Sequence, residues 1–177
     1  MRIIAGRLGG RVFQSGNHAV THGMSEKVRG ALFNILGDVT DKTMLDAFAG
    51  TGAIGIEALS RGARSALMIE KDRSAAASIK TALSELGLQN HGKVVAANCR
   101  SWSENNPSIY FDIIICDPPY HDMQLSTVNL LTRHMKSESI MVISHPGRGG
   151  QVPAVNGVVV VDNRSYGDAA LSFYRLG

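Results

Sequence analysis

The sequence predicts a doubly wound α/β domain with a mainly parallel sheet of seven strands. Short apolar segments alternate with segments of helical periodicity through most of the chain, so helices are expected to join the strands. Such connections require right-handed crossovers and a mainly parallel sheet covered on both faces. Only residues 162–168 separate the last two strands, which allows a hairpin. We therefore expect one antiparallel strand at the C-terminal end.

The chain begins with a small predicted extension. Two short strands, 2–4 and 11–13, flank a glycine-rich turn and form an expected β-hairpin. A polar loop leads from this hairpin to the first helix. Ser25 is expected to cap that helix, which ends near Gly37. We expect a single domain over residues 1–177, with residues 1–36 as the extension and residues 43–177 as the core.

The strands of the core are apolar segments bounded by turn residues. They are expected at residues 44–48, 65–69, 93–97, 110–116, 139–144, 157–161 and 169–174. Apolar residues at helical spacing predict the helices between them. These are expected at residues 53–60, 73–86 and 124–135.

Composition excludes several classes of protein. The chain has 177 residues, of which 44% are hydrophobic and 19% charged, the balance of one globular domain. No apolar run approaches the ~20 residues that span a bilayer. The two cysteines, Cys99 and Cys116, form no CxxC pair, the histidines are scattered, and the N-terminus shows no signal-peptide pattern. We therefore expect a cytoplasmic protein without a metal site, and a monomer.

Positive charge is concentrated at the N-terminus. Residues 1–36 contain five basic side chains and one acidic one, whereas the other 141 residues contain 13 basic and 14 acidic side chains. A polyanion is the expected partner of such a segment. The five candidate contacts to phosphate are Arg2, Arg7, Arg11, Lys27 and Arg29.

A glycine-rich turn marks the first candidate site. Residues 50–55 read Gly-Thr-Gly-Ala-Ile-Gly between a strand and a helix, and Glu70 ends the next strand. Glycines let a ligand approach the backbone closely, and an acid at that place accepts hydrogen bonds from ribose hydroxyls. Any adenosine-containing cofactor could use this arrangement, because a helix N-terminus favours a pyrophosphate or a carboxylate alike.

The end of the fourth core strand distinguishes between these cofactors. That strand is followed by an acid, two prolines and an aromatic ring: Asp117, Pro118, Pro119 and Tyr120. Two consecutive prolines remove both backbone donors, so acceptor oxygens dominate the turn. The Asp117 carboxylate and the Pro118 carbonyl could accept both hydrogens of an exocyclic amine, and Tyr120 offers a flat surface for a base. Open α/β sheets bind ligands at this edge.

Together these residues resemble a known family. Residues 117–120 look like the signature of amino-methyltransferases, and residues 45–52 look like their S-adenosylmethionine motif. Residues 2–6, 10–11 and 27–36 are similar to the bacterial 16S rRNA (guanine(966)-N2)-methyltransferase family. The resemblance covers nearly the whole chain. It implies a Rossmann-like class I methyltransferase fold, S-adenosylmethionine as cofactor, and 16S rRNA or the assembled small ribosomal subunit as partner.

The resemblance also assigns residues to the site. Glu70 matches the acid that binds the ribose, Asn98 and Cys99 match the stretch beside the adenine, and residues 117–120 match the target-amine site. Asp46 and the loop Gly50, Thr51 and Gly52 match the part around the methionine moiety, and Phe48 is a further expected cofactor residue. The chain departs from the family at His22-Gly23-Met24, where Arg-Pro-Thr is common, and at Gly30, where a glutamate is usual.

The implied reaction is methyl transfer to the N2 amine of a guanine. Asp117 and the Pro118 carbonyl are expected to hold the amine hydrogens and to aim the nitrogen lone pair at the methyl group. Two other enzyme classes are alternatives. An adenine-N6 methyltransferase of DNA or RNA would use the same acceptors, and a nicotinamide oxidoreductase shares only the glycine turn. A non-catalytic RNA-binding protein would require a degraded pocket, yet the acceptors are intact.

Overall fold

A computed structural model describes residues 1–16, 24–148 and 150–177 of the chain. The polar loop expected before the first helix lies largely outside the described residues. The described helices are α1 Glu26–Leu36, α2 Ala53–Ser60, α3 Arg73–Glu85, α4 Cys99–Asn105 and α5 Leu125–Leu131. The strands are β1 Thr43–Asp46, β2 Ser65–Glu70, β3 Gly92–Ala96, β4 Phe111–Cys116, β5 Met135–Pro146, β6 Val158–Tyr166 and β7 Ala169–Leu176.

The seven strands form one sheet in the order β3-β2-β1-β4-β5-β7-β6. The pairs among β1 to β5 are parallel, whereas β7 runs antiparallel to both β5 and β6. The predicted fold class, including the antiparallel C-terminal strand, is therefore confirmed. Because β1 and β4 are adjacent and parallel, their carboxyl ends meet at one edge of the sheet.

Apolar side chains cover both faces of the sheet. Met44 in β1 belongs to a buried cluster that contains Ile56 of α2 and Ile79 of α3. Its neighbour Leu45 belongs to a second cluster, which contains Val128 of α5. Successive residues of a strand point to opposite faces, so one short strand serves both helical layers. No helix among the described residues has the length and apolar character needed to cross a membrane.

Several boundaries differ from those predicted. The hairpin of β6 and β7 extends to Tyr166 and Ala169, because Gly167 adopts the positive φ that a tight turn requires. Helix α4 was not predicted; it is capped by Asn98, whose side chain accepts hydrogen bonds from the N–H groups of Arg100 and Ser101. Helix α5 ends at residue 131 and a 3₁₀ turn, Thr132–His134, follows it.

The expected N-terminal hairpin contains one antiparallel bridge, between Arg2 and Val12, and further backbone hydrogen bonds join its two arms. Its backbone also bonds to α2, where both carboxylate oxygens of Glu57 accept N–H groups, from Ile4 at 2.8 Å and Ala5 at 3.0 Å. Gly6 lies so close to this helix that a Cβ would sit 2.0 Å from the Ser60 carbonyl oxygen. The basic segment is thus fastened to the core.

The first helix agrees with the prediction. Ser25 caps α1 by accepting a hydrogen bond from the N–H of Val28, and Gly37 follows the helix with a positive φ. The start of α1 lies beside the carboxyl ends of β1 and β4, where Met24 and Ser25 line the cavity. The extension therefore forms part of the wall of the candidate site.

Candidate active site

A cavity of about 640 Å³ lies at the carboxyl edge of the sheet. Its walls come from the β1–α2 turn, the end of β2, the β3–α4 turn, the residues after β4 and the β6–β7 hairpin. This is the edge at which open α/β sheets bind ligands. The two motifs that are separated by more than 60 residues in the sequence, at 50–55 and 117–120, meet there.

Glu70 joins the glycine turn to the end of β2. One carboxylate oxygen accepts the N–H of Gly50 at 2.8 Å, and the other accepts the N–H of Asp72 at 2.8 Å. Each carboxylate oxygen has a second lone pair, so Glu70 can still accept hydroxyl groups from a ligand in the cavity. The turn and the acid are therefore held in one rigid unit.

Most of the expected cofactor residues line the cavity: Phe48, Gly50, Thr51, Glu70, Asn98 and Cys99. Gly52 lies behind this surface at φ 76°, and a Cβ there would meet Ile79 Cγ2 at 2.8 Å. Only glycine fits this position without strain. Burial raises the pKa of the Cys99 thiol to about 12, so the thiol is neutral and contributes shape to the wall.

Asp46 is buried beneath the glycine turn and does not line the cavity. Its Oδ2 accepts the N–H of Gly55 at 3.1 Å, whereas its Oδ1 has no hydrogen-bond partner among the described residues. Burial raises the pKa of Asp46 to about 7, and the N–H of Gly55 opposes this shift. Any effect of Asp46 on the methionine moiety would therefore be indirect, through the turn above it.

This environment predicts a pH-dependent difference in stability between the wild type and Asp46→Asn. Because the pKa of Asp46 is higher in the folded chain than its ordinary value of 3.8, its contribution to stability is present below pH 4 and is lost as the pH rises towards 7. Asparagine stays neutral throughout. From pH 5 to pH 8, the free energy of unfolding of Asp46→Asn should rise by about 2 kcal/mol relative to that of the wild type. Thermal unfolding at each pH measures this difference. Parallel pH profiles of the two proteins would contradict this assignment.

The expected amine site follows β4, the strand next to β1 in the sheet. The four residues predicted for it all line the cavity: Asp117, Pro118, Pro119 and Tyr120. Burial raises the pKa of Asp117 to about 6, although the Ser144 hydroxyl and the N–H of Met24 stabilise its charged form. Tyr120 is 39% exposed and lines the cavity, so it is accessible to a ligand.

Several residues of the site were missed by sequence reasoning, among them Met24, Ser144 and Tyr166. Met24 and Tyr166 line the cavity, and the hydroxyl of Ser144 lies 2.8 Å from the hydroxyl of Tyr120. No local motif marks them, because each is brought there by the order of strands or by the packing of α1. Among the departures from the family pattern, His22 and Gly23 lie outside the described residues, whereas Met24 is part of the wall.

The basic side chains of the extension have different environments. Arg7, Arg11 and Lys27 are exposed, and the exposed Arg2 pairs with Glu26 at 2.7 Å. Arg29 is completely buried, donates a hydrogen bond to the carbonyl of Arg2 and lies 3.7 Å from Glu57. The expectation that Arg29 contacts phosphate is therefore wrong. Arg29 is a buried cation that connects α1 to the backbone of Arg2 and to Glu57 of α2.

Metal chemistry was not expected from the sequence. In the part of the chain that the structure describes, no group of three or more His, Cys, Asp or Glu side chains could hold a metal ion.

Comparisons with known proteins agree with this geometry. The family model described as "Conserved hypothetical protein 95" matches residues 1–175. The Bacillus subtilis protein YlbH, an rRNA methyltransferase by name, is 29% identical over 99% of this chain and 98% of its own length. Ribosomal RNA small subunit methyltransferase D of Escherichia coli is 37% identical over 74% of this chain and 66% of its own length.

A solved structure shows the same fold. The Escherichia coli protein yhhF, a methyltransferase by name, superposes with a TM-score of 0.85 at 28% identity, covering 99% of this chain and 97% of that one. The names of these relatives favour a methyltransferase over the nicotinamide oxidoreductase that the glycine turn alone would allow. The chain belongs to the Conserved hypothetical protein 95 family, and it is a class I methyltransferase.

Proposed function

We propose that the chain methylates the exocyclic N2 amine of a guanine in 16S rRNA, at position 966 of that RNA as the resemblance implies. The observation that carries this proposal is the amine site itself, where Asp117 and the diproline turn line the same cavity as the glycine turn. The name of the Escherichia coli relative, a small-subunit rRNA methyltransferase, supports the choice of RNA.

The residues at the glycine turn fit S-adenosylmethionine. Glu70 would hold the ribose hydroxyls, Asn98 and Cys99 would flank the adenine, and Phe48, Gly50 and Thr51 would surround the methionine moiety. The cavity of about 640 Å³ is within the range of small-molecule sites. When bound, S-adenosylmethionine supplies an electrophilic methyl group on a positively charged sulfur.

Asp117 and Pro118 would orient the target amine. The lone pair of a guanine N2 is delocalised into the ring, so the planar amine is a poor nucleophile. Two acceptors that hold both amine hydrogens would favour a pyramidal nitrogen and aim its lone pair across the cavity. Tyr120 would stack on the base, a contact worth ~1–3 kcal/mol. Because the base must leave its stack to reach this site, a looped or single-stranded guanine is the expected substrate.

The exposed cations of the extension predict a salt-dependent affinity for RNA. Arg7, Arg11 and Lys27 would contact phosphates, and each contact lowers the slope of log K against log salt by about 0.7 for single strands. Replacing each by alanine should therefore make the slope shallower by about that amount in filter-binding titrations. Lys80→Ala, which removes an exposed cation of α3 outside the extension, is the control. A slope that none of the three replacements changes would show that the extension does not contact the phosphates of the RNA.

Identification of the methylated nucleoside tests the proposal directly. The purified chain and S-adenosylmethionine should be incubated with naked 16S rRNA, assembled small subunits and DNA, and the products analysed by nucleoside mass spectrometry. N2-methylguanine in either RNA substrate would support the proposal. N6-methyladenine in any substrate would favour the alternative, in which the same acceptors hold the amine of adenine. In cells lacking this chain, one N2-methylguanine should be missing from 16S rRNA.

We further propose that the chain acts as a monomer in the cytoplasm. The residues assigned to both halves of the reaction come from one chain and line one cavity. Size-exclusion chromatography with light scattering, performed with and without RNA, tests the monomer.

A further inference from the structure

Gln124, the residue before α5, has a backbone conformation that glutamine rarely adopts. Its φ of 45° and ψ of 44° lie in the left-handed region. Among the described residues, Asp41 is the one other non-glycine residue with a positive φ. Aspartate tolerates this region better than glutamine, because its short polar side chain can hydrogen-bond locally. Glycine would adopt the same backbone without strain, so the backbone does not favour glutamine at position 124.

The backbone of Gln124 is held on both sides. Its N–H donates to Oδ1 of Asp122 at 3.3 Å, and its carbonyl oxygen accepts the N–H groups of Thr127 at 2.8 Å and Val128 at 3.0 Å. Within the described chain, its side chain makes no hydrogen bond that caps α5. Serine, threonine, aspartate or asparagine would be the usual residue for a cap. Neither the backbone nor the helix therefore accounts for glutamine at this position.

Gln124 lines the cavity together with the residues of the amine site. It belongs to the same connection between β4 and α5 as the diproline turn, and the N–H of Asp122 donates to the Pro119 carbonyl at 2.9 Å. The residues assigned to S-adenosylmethionine follow β1, β2 and β3, which all lie on one side of β4 in the sheet. The amide of Gln124 is therefore placed with the target base and apart from the cofactor residues.

A carboxamide complements the edge of guanine that lies next to the N2 amine. That edge carries an N1–H donor and an O6 acceptor, and the amide of glutamine offers an acceptor in Oε1 and a donor in Nε2. Adenine presents a bare N1 acceptor and a C2–H group beside its N6 amine, so it offers the amide one hydrogen bond where guanine offers two. Asp117 and the Pro118 carbonyl would accept the amine hydrogens of either base and would not distinguish the two.

We propose that Gln124 is the specificity-determining residue that selects guanine over adenine, its amide accepting a hydrogen bond from N1–H and donating one to O6 of the target base. This inference rests on the proposed function and deepens it, because it concerns the same amine site. It also gives a reason for the strained backbone, since such conformations persist where a ligand is recognised.

An RNA that carries 2-aminopurine in place of the target guanine tests this contact. 2-Aminopurine keeps the N2 amine but lacks both O6 and the N1–H. Gln124→Met has a side chain of similar length without the amide. The ratio of kcat/KM for the guanine RNA to that for the 2-aminopurine RNA should fall at least about tenfold from the wild type to Gln124→Met, because a bidentate contact to a base edge discriminates by about that factor. An undiminished ratio would overturn the proposal.

Gln124→Gly separates recognition from folding. Glycine accepts the positive φ, so this variant should unfold at no lower a urea concentration than the wild type. It should nevertheless lose the preference for guanine over 2-aminopurine to the same extent as Gln124→Met. A clear fall in its free energy of unfolding would show that the side chain holds the connection before α5, and the role in recognition would be wrong.

Asp41→Gly is the matched control. It makes the same kind of change at the other positive-φ position, where Asp41 is exposed and precedes β1 at the amino end of that strand, outside the cavity. The preference for guanine RNA over 2-aminopurine RNA should stay at its wild-type value in this variant. Equal losses of preference in Asp41→Gly and Gln124→Gly would show a general effect of the backbone change and contradict the assignment.

Two measurements distinguish failure of this inference from failure of the proposed function. If the wild type forms N2-methylguanine but the ratio is the same in Gln124→Met, the proposed function stands and the role of Gln124 is wrong. If the product is N6-methyladenine, the proposed function is wrong and the selection of guanine fails with it. Calorimetry should also show an unchanged affinity of Gln124→Met for S-adenosylmethionine. Weaker binding would place the amide against the cofactor and overturn the contact with the base.

Discussion

Replacing Asp117 by alanine is expected to abolish methyl transfer while leaving the affinity for S-adenosylmethionine nearly unchanged. Asp117 lines the cavity after β4, whereas Glu70 lines it at the end of β2 and is bonded to the glycine turn. The carboxylate orients the amine and stabilises the charge that develops on it. Loss of one such preorganised group costs at least about 100-fold in kcat. Single-turnover methylation measures the rate, and calorimetry measures the affinity.

Two further variants make this test specific. Asp117→Asn keeps the size of the side chain but replaces one acceptor by a donor, so it should also be inactive. Glu70→Ala should show the opposite pattern, with weakened binding of S-adenosylmethionine, because it removes the acceptor for the ribose and loosens the Gly50 turn. Equal losses of rate and of cofactor affinity in Asp117→Ala would count against the separate roles of Asp117 and Glu70.

The sequence predicted the parts of the site that are encoded locally. Gly50, Gly52 and Glu70 form a pattern within twenty residues, and residues 117–120 are contiguous, so their chemistry could be read directly. The alternation of strands and helices also predicted that both motifs would lie at one edge of a parallel sheet. The structure confirms that edge and brings the two motifs around a single cavity.

The remaining parts depend on tertiary contacts. Ser144 reaches the site because β5 follows β4 in the sheet, and Tyr166 reaches it because the β6–β7 hairpin is longer than its apolar residues indicate. Arg29 was expected on the surface because arginine is usually exposed. Its burial could not be read from the sequence, since its partner Glu57 lies 28 residues away on another helix.

Glu57→Ala is expected to cause the largest loss of stability among the variants considered. Glu57 is 1% exposed and its carboxylate is saturated: it accepts the N–H groups of Ile4 and Ala5 and pairs with Arg61 at 2.7 Å and Arg29 at 3.7 Å. Removing one partner of a buried pair leaves an uncompensated charge and costs about 3–5 kcal/mol. Burial already lowers the pKa of Arg29, which Glu57 counteracts.

Glu26→Ala provides the comparison, because it removes the same charge from an exposed pair. Glu26 contacts Arg2 at 2.7 Å, but both side chains are exposed, and solvent screens such pairs. Urea unfolding should therefore show a much larger loss of stability in Glu57→Ala than in Glu26→Ala. Equal losses of unfolding free energy in the two variants would mean that the contacts of Glu57 do not hold the extension in place. A large loss only in Glu57→Ala would show that the exposed cations depend on a buried carboxylate for their placement.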